Sequence, residues 1–295
     1  MSITLRPATP DDAEPLGAIL FAAFCSIADR HAFPRDFPNA DTGAGMIRAF
    51  ATTPGIVGVV ATDDADDGRV VGCNFLHCQD ETAAVGPIAV DPAAQGRGIG
   101  RRLMEAVLAV GASATGIRLV QDAFNTTSMS LYASLGFDAK EPLALLSGTP
   151  EPSSTSPRAD TEVRPMREPD LPACAALCRR VHGIERTNEL RGAIAHFRPL
   201  VVVRDGRVRA YASAPTFWLM NHAVAETDAD LHDLLTGAAA AGTGETPLSF
   251  LLPIRQAKLL RWCLARAMKL VKPMTLMAMG TYQEPRGTFF PSVLY

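Results

Sequence analysis

Residues 83–90 are almost continuously apolar, and from 99 to 110 the pattern turns amphipathic, with Ile99, Leu103, Val107 and Val110 spaced four, four and three apart. The first pattern predicts a buried strand, and the second predicts a helix that lays one apolar face on a sheet. Upstream, 56–62 and 69–78 read as two strands. They are joined by Asp63-Asp64-Ala65-Asp66-Asp67-Gly68, an acidic run expected at a solvated hairpin tip. Thr9-Pro10-Asp11-Asp12 opens the first helix, with a capping residue, a proline in the first turn and acids near the positive end of the dipole. Downstream, 117–123 reads as a further strand.

The pattern breaks at Gly148-Thr149-Pro150-Glu151-Pro152-Ser153-Ser154-Thr155-Ser156-Pro157, which holds no large apolar side chain to bury and reads as a linker. After it the chain begins again. Glu162-Val163-Arg164-Pro165 through Asp170 echoes Thr4-Leu5-Arg6-Pro7 through Asp12, and both lead into a helix rich in alanine and leucine. The strands near 201–203 and 208–211 echo the first hairpin, and 248–254 echoes 117–123. A strand is expected near 215–219, a helix near 229–241, and a final strand or hairpin in the tail from Gly280 to Tyr295. These echoes predict a tandem repeat of one α/β unit: domains at 1–148 and 162–295, with a linker at 149–161.

Composition narrows the picture without changing it. At 295 residues and 47% hydrophobic content, the chain can bury a full core in about two domains. A net charge of −3 with no basic stripe argues against nucleic acid as a partner. The longest apolar window, 18–28, is too short to span a bilayer, and acids precede it where an export signal carries Lys or Arg, so a cytoplasmic protein without membrane contact is expected. Six cysteines without a Cys-x-x-Cys pair read as reduced. Cys174, Cys178 and His182 recur every four residues, a spacing that can place metal ligands on one helix face. The small apolar residues around them favour a core helix instead, and no metal is expected.

The chemistry concentrates in Gln95-Gly96-Arg97-Gly98-Ile99-Gly100, between the apolar strand and the amphipathic helix. Glycines let a backbone approach a ligand closely, and a helix start adds unpaired N–H groups and the positive dipole end, so an anion is expected on 96–101. A Walker loop needs Gly-Lys-Ser/Thr, and here Gly100 is followed by Arg101-Arg102. A dinucleotide fingerprint starting at Gly96 needs glycine or alanine where Arg101 stands. What remains is Gln-x-x-Gly-x-Gly, which resembles the pyrophosphate loop of the GNAT superfamily of N-acetyltransferases. Gly86-Pro87-Ile88-Ala89-Val90-Asp91-Pro92 is similar to that family's fourth strand. Asn125, Ser128, Tyr132 and the closing Leu135-Gly136-Phe137 match its downstream pattern.

The resemblance covers residues 3–147 and implies a mixed α/β (α+β) fold. With the repeat, it implies two tandem GNAT-like domains, each a mixed, mainly antiparallel sheet flanked by helices. It further implies transfer of the acetyl group of acetyl-CoA to a primary amine, a small molecule rather than a protein, by direct attack in a ternary complex. By that resemblance Ile88, Ala89 and Val90 hold the pantetheine arm and polarise the thioester, and Gln95, Gly96, Arg97, Gly98, Ile99, Gly100 and Arg101 hold the pyrophosphate. Asn125 and Ser128 support the arm, and Tyr132 is the acid for the departing thiolate. Glu81 or Asp80 is the expected base acting through water, with His77 and Asp122 as further candidates.

The acceptor pocket implied by the family involves Phe21, Phe24, His31, Phe33 and Phe37, and acids at Asp36, Asp41, Asp80 and Glu81 favour a cation there. The second copy lacks the glycine loop and offers Ala, Arg, Met and Lys near 264–270 where the tyrosine is expected, so it reads as degenerate. A protein that binds acyl-CoA without catalysis, as a sensor or scaffold, is the alternative. Oligomeric state is not legible in the sequence.

Overall fold

The computed structural model describes residues 3–151, 158, 160–241 and 246–294. It divides into two compact units, Met1–Arg118 with Ser130–Leu135, and Leu119–Met129 with Gly136–Tyr295.

The first unit contains β1 (Ile3–Pro7), α1 (Ala13–Arg30), α2 (Ala40–Thr52), β2 (Ile56–Asp63), β3 (Arg69–His77), β4 (Thr82–Val90), α3 (Ile99–Val110), the start of β5 (Gly116–Asp122) and the later part of α4 (Thr126–Ser134). Its strands run in the order β1-β2-β3-β4-β5, antiparallel except for the β4–β5 pair. Helices α1 and α2 approach so closely that a Cβ at Gly17 would stand 2.5 Å from the backbone nitrogen of Ala44. On α3, Ile99 and Leu103 join Ala61, Val71 and Ala94 in a core against the sheet. Val110 was expected on that face but is 47% exposed, standing as the last residue of the helix.

The second unit contains the end of β5, the start of α4, β6 (Asp138–Gly148), β7 (Thr161–Pro165), α5 (Leu171–His182), α6 (Thr187–His196), β8 (Leu200–Arg204), β9 (Arg207–Ala212), β10 (Ala223–Ala225), α7 (Asp228–Ala240), β11 (Leu248–Pro253), α8 (Ala257–Leu264), β12 (Lys269–Gly280) and β13 (Thr288–Phe290). One run of strands is β5-β12-β6-β11, and another sheet is β13-β10-β9-β8-β7. Strand β6 pairs antiparallel with β12 on one edge, from Lys269↔Ser147 to Ala278↔Asp138, and with β11 on the other.

This division departs from a boundary at 148, which gives β6 to the first domain. The reason lies in Leu143-Ala144-Leu145-Leu146, all buried: a strand apolar on successive positions needs cover on both faces and pairing on both edges, and β11 and β12 supply the pairing. Of the 149–161 linker, residues 152–157 and 159 lie outside the described residues, as does Tyr295.

The repeat is visible in bonds as well as in sequence. Arg6 forks onto the Asp12 carboxylate at 2.6 and 2.8 Å, and Asp12 also accepts the Thr9 N–H at 2.8 Å. Arg164 forks onto Asp170 at 2.7 and 2.8 Å, and Asp170 accepts the Arg167 N–H at 2.8 Å. The expected strand at 215–219 is turn; the strand is Ala223–Ala225, short but buried and paired on both edges by β9 and β13. Cys174 and Cys178 lie in the core on α5, and burial pushes the Cys174 thiol up to about 12. No helix among the described residues is long and apolar enough to cross a membrane.

Candidate functional site

Strand β4 positions the site. Thr82, Ala83 and Ala84 pair in parallel with Gly116, Ile117 and Arg118, and the ladder stops there. From Val85 onward this edge of β4 has no strand partner among the described residues, so its backbone groups face a free edge. On the opposite edge the register with β3 runs from Gly72↔Val90 to Asn74↔Ile88 and resumes at Leu76↔Val85, leaving an extra residue at Gly86-Pro87. Such a bulge bends a strand and re-aims its groups. His77 Nε2 donates to the Gly86 carbonyl at 2.8 Å, and Phe50 meets the imidazole edge-on with centroids 4.7 Å apart. A residue expected only as a minor base candidate thus holds the bulge.

The turn after β4 is built by its own side chains. Asp91 accepts the Ala93 N–H at 2.9 Å and is held by Arg69 at 2.6 Å, which keeps its carboxyl below the ordinary range. Gln95 Nε2 donates to the Val90 carbonyl at 3.0 Å, closing the loop. Gly96 and Gly98 then adopt φ of +77° and +75°, and a Cβ at either would meet nothing within 4 Å. Gly98 is the N-cap of α3 and supplies no side chain to its first turn. Open space, left-handed glycines and an uncapped twelve-residue helix fit a phosphate group. Gly100 has a different reason: a Cβ there would touch Leu131 at 3.6 Å and Val90 at 4.0 Å, so it sets a close approach.

Arg97 and Arg101, expected on the pyrophosphate, and Arg102 beside them all have partners within the protein. Arg97 bonds Asp63 at 2.8 Å and, through that bond first, keeps the Asp63 carboxyl below its usual range. Arg101 donates to Ser134 Oγ at 2.6 Å, and Arg102 to the Ile3 carbonyl at 2.7 Å.

Asn125 Oδ1 accepts the Ser128 N–H at 3.2 Å and the Asn125 carbonyl accepts the Met129 N–H at 3.0 Å, so Asn125 and Ser128 meet as the cap of α4. Tyr132 follows on the same helix and is 5% exposed. Glu81 stands apart: it is exposed just before β4, with its carbonyl accepting from Thr115. The nine residues of β4 separate it from the glycine turn, roughly 30 Å of strand. Phe24 and Phe37 meet edge-on at 5.3 Å, while His31 is exposed.

Two polar groupings in the second unit were not read from the sequence: the pairing of Asp122, there only a further base candidate, with Lys272, and a buried cluster around Glu189. Asp122, at the end of β5, is paired with Lys272 at 2.7 Å. The signal was a lone charge within the apolar run 270–279. A buried cluster joins Arg186 to Glu189 at 2.6 Å, Arg186 to Ser292 Oγ at 2.8 Å, and His222 Nδ1 to Glu189 at 3.3 Å. Among the described residues, no three His, Cys, Asp or Glu side chains are grouped to hold a metal ion.

Residues 54–139 match the family model of the acetyltransferase (GNAT) domain. No curated protein matches the chain. Among solved structures, a proposed acetyltransferase of Pyrococcus horikoshii is 16% identical, covers 97% of this chain and 94% of its own, and has a TM-score of 0.73. A GCN5-related N-acetyltransferase from Sphaerobacter thermophilus is 15% identical over 97% and 98%, with a TM-score of 0.62. A tandem GNAT protein from the clavulanic acid biosynthesis pathway is 15% identical over 96% and 100%, at 0.58. At these identities the likeness is one of fold, and it spans both halves of the chain, as the tandem repeat leads one to expect.

Proposed function

We propose that this chain, which carries a GNAT acetyltransferase domain over residues 54–139, moves the acetyl group of acetyl-CoA to the primary amine of a small molecule by direct attack in a ternary complex. The observation that carries this reading is the pair Gly96 and Gly98, left-handed, with open space where their Cβ atoms would stand, at the uncapped start of α3.

Acetyl-CoA supplies a thioester whose C–S bond breaks as the amine nitrogen bonds its carbonyl carbon. The N–H groups of Gly98, Ile99, Gly100 and Arg101 bind its pyrophosphate. The free edge of β4 from Val85 to Val90 pairs with the pantetheine arm as an added strand would, which holds the thioester still for attack. Pro87 has no N–H and the Ala89 N–H points toward β3, as that of Asp91 does, so Ile88 donates to the carbonyl oxygen as charge develops there, a contribution of about 3 kcal/mol for one such donor. His77 keeps this amide in place by bonding the Gly86 carbonyl. Tyr132 gives the departing sulfur its proton. Glu81, exposed at the head of β4, lies about five residues of strand, some 16 Å, from Gly86, so it receives the ammonium proton only through a chain of several waters and not by direct contact.

Calorimetry with acetyl-CoA tests the loop. Wild-type protein binds the donor, and Gly98→Val, which forces a β-branched residue to φ +75° and fills the open space, abolishes binding without unfolding the chain. Normal affinity in that variant would remove the loop from the site.

A further inference from the structure

A lysine buried in a strand is costly unless its charge is met. Lys272 in β12 has a side chain only 2% exposed, with Nζ 2.7 Å from the Asp122 carboxylate, itself 9% exposed, and 5.2 Å from the centre of the Trp218 ring. The β12 ladder is irregular between Leu270 and Lys272, and Pro273 follows, so the strand departs from regular pairing where it admits a charge. Bulges re-aim side chains in this way.

The backbone reinforces the ion pair. The Pro273 carbonyl accepts the Ala123 N–H at 3.2 Å, so side chain and main chain of one dipeptide both grip the end of β5. The Asp122 carbonyl accepts the Asn125 N–H at 2.9 Å, and Asn125 caps α4 through Ser128. One ion pair followed by two hydrogen bonds therefore links Lys272 through Asp122 and Asn125 to the first turn of α4. Stability alone does not account for it, because a buried ion pair replaced by apolar residues of similar volume is often no less stable. What a charge pair adds is direction.

We propose that Lys272, supplied by the second half of the sequence, is a positioning residue for the first half's chemistry: it fixes the turn from Asp122 to Asn125, and so sets how Asn125 and the start of α4 meet the donor's pantetheine arm. The donor part of this statement rests on the acetyl-CoA reading above; the fixing of the turn does not.

Three variants test it: K272M, D122N/K272M and K272R. The readouts are amide hydrogen exchange at residues 125–129 in the unliganded protein, the thermal midpoint, and the dissociation constant for acetyl-CoA. K272M strands a buried carboxylate and lowers the midpoint, and the double variant recovers most of it. In the double variant, amides 125–129 exchange at least about tenfold faster and acetyl-CoA binds at least about tenfold more weakly, while K272R stays near wild type in both. Amides of β8 and β9 report general loosening in the same molecule. A rise confined to 125–129 supports the proposal even in a destabilised variant; a uniform rise, or none, overturns it. Wild-type protein that binds no acetyl-CoA would sink the donor reading, and the exchange pattern would still decide the role of Lys272.

Discussion

Gly98 illustrates what a single residue makes legible. Its requirement is local, a φ of +75° at a helix start, so the glycine spacing alone announces it. The same holds for Asn125 and Ser128, three apart, which meet in one helical turn. The arginines were not legible, because their partners are remote in sequence: Arg97 finds Asp63, and Arg102 finds the Ile3 carbonyl. Tyr132 lies buried on α4, and if it is the acid proposed above, Tyr132→Phe lowers turnover about tenfold or more while acetyl-CoA affinity stays within about twofold. Steady-state kinetics beside calorimetry reads both. Glu189 gives a pH prediction. Burial pushes its carboxyl up, but Arg186 and His222 outweigh burial and hold it at about 2, against an ordinary 4.5. A depressed value means the stabilisation is complete above the unfolded pKa and is lost as pH falls through the folded one. Glu189→Gln therefore lowers the thermal midpoint near neutrality and flattens its fall between about pH 5 and pH 2. An unchanged slope in scanning calorimetry contradicts this.

At the scale of elements, periodicity succeeded wherever an element rests on one sheet. Helix α3 spans the residues its pattern predicts, and α7 is found within a residue of its expected bounds. Failures came where local pattern and tertiary pairing disagree. Phe217, Trp218 and Leu219 have strand-forming character but form a turn, while the plain segment Ala223–Ala225 is the strand because β9 and β13 pair with it. The repeated Arg-to-Asp forks were visible as sequence echoes before their function as entry clamps for α1 and α5 was known. Each ties the strand before a helix to the helix's first turn. Asp12→Asn and Asp170→Asn should each cost about 1.5–3 kcal/mol, the range for hydrogen bonds to charged groups, read by denaturant unfolding. Both carboxyls are held below their ordinary values, first by the arginine bond, so wild type loses this contribution as pH falls and the variants do not.

For the molecule as a whole, the linker suggested two separable domains, and the pairing of β6 argues otherwise. Nothing in 138–148 reveals that its two neighbours come from beyond the linker, since strand pairing is not encoded in the strand's own residues. A fragment ending at residue 148 leaves β6 without β11 and β12. It should show no cooperative unfolding transition by calorimetry, and co-expression with 160–295 should restore one; a cooperative lone fragment contradicts the need of β6 for β11 and β12. The central claim is transfer itself. The most direct measurement is free-thiol release from acetyl-CoA across a panel of primary amines, with Tyr132→Phe and Gly98→Val run alongside. Release that depends on one class of amine, and falls in both variants, is the predicted result. Tight acetyl-CoA binding with no amine-dependent release would contradict it and leave a protein that binds the donor without using it.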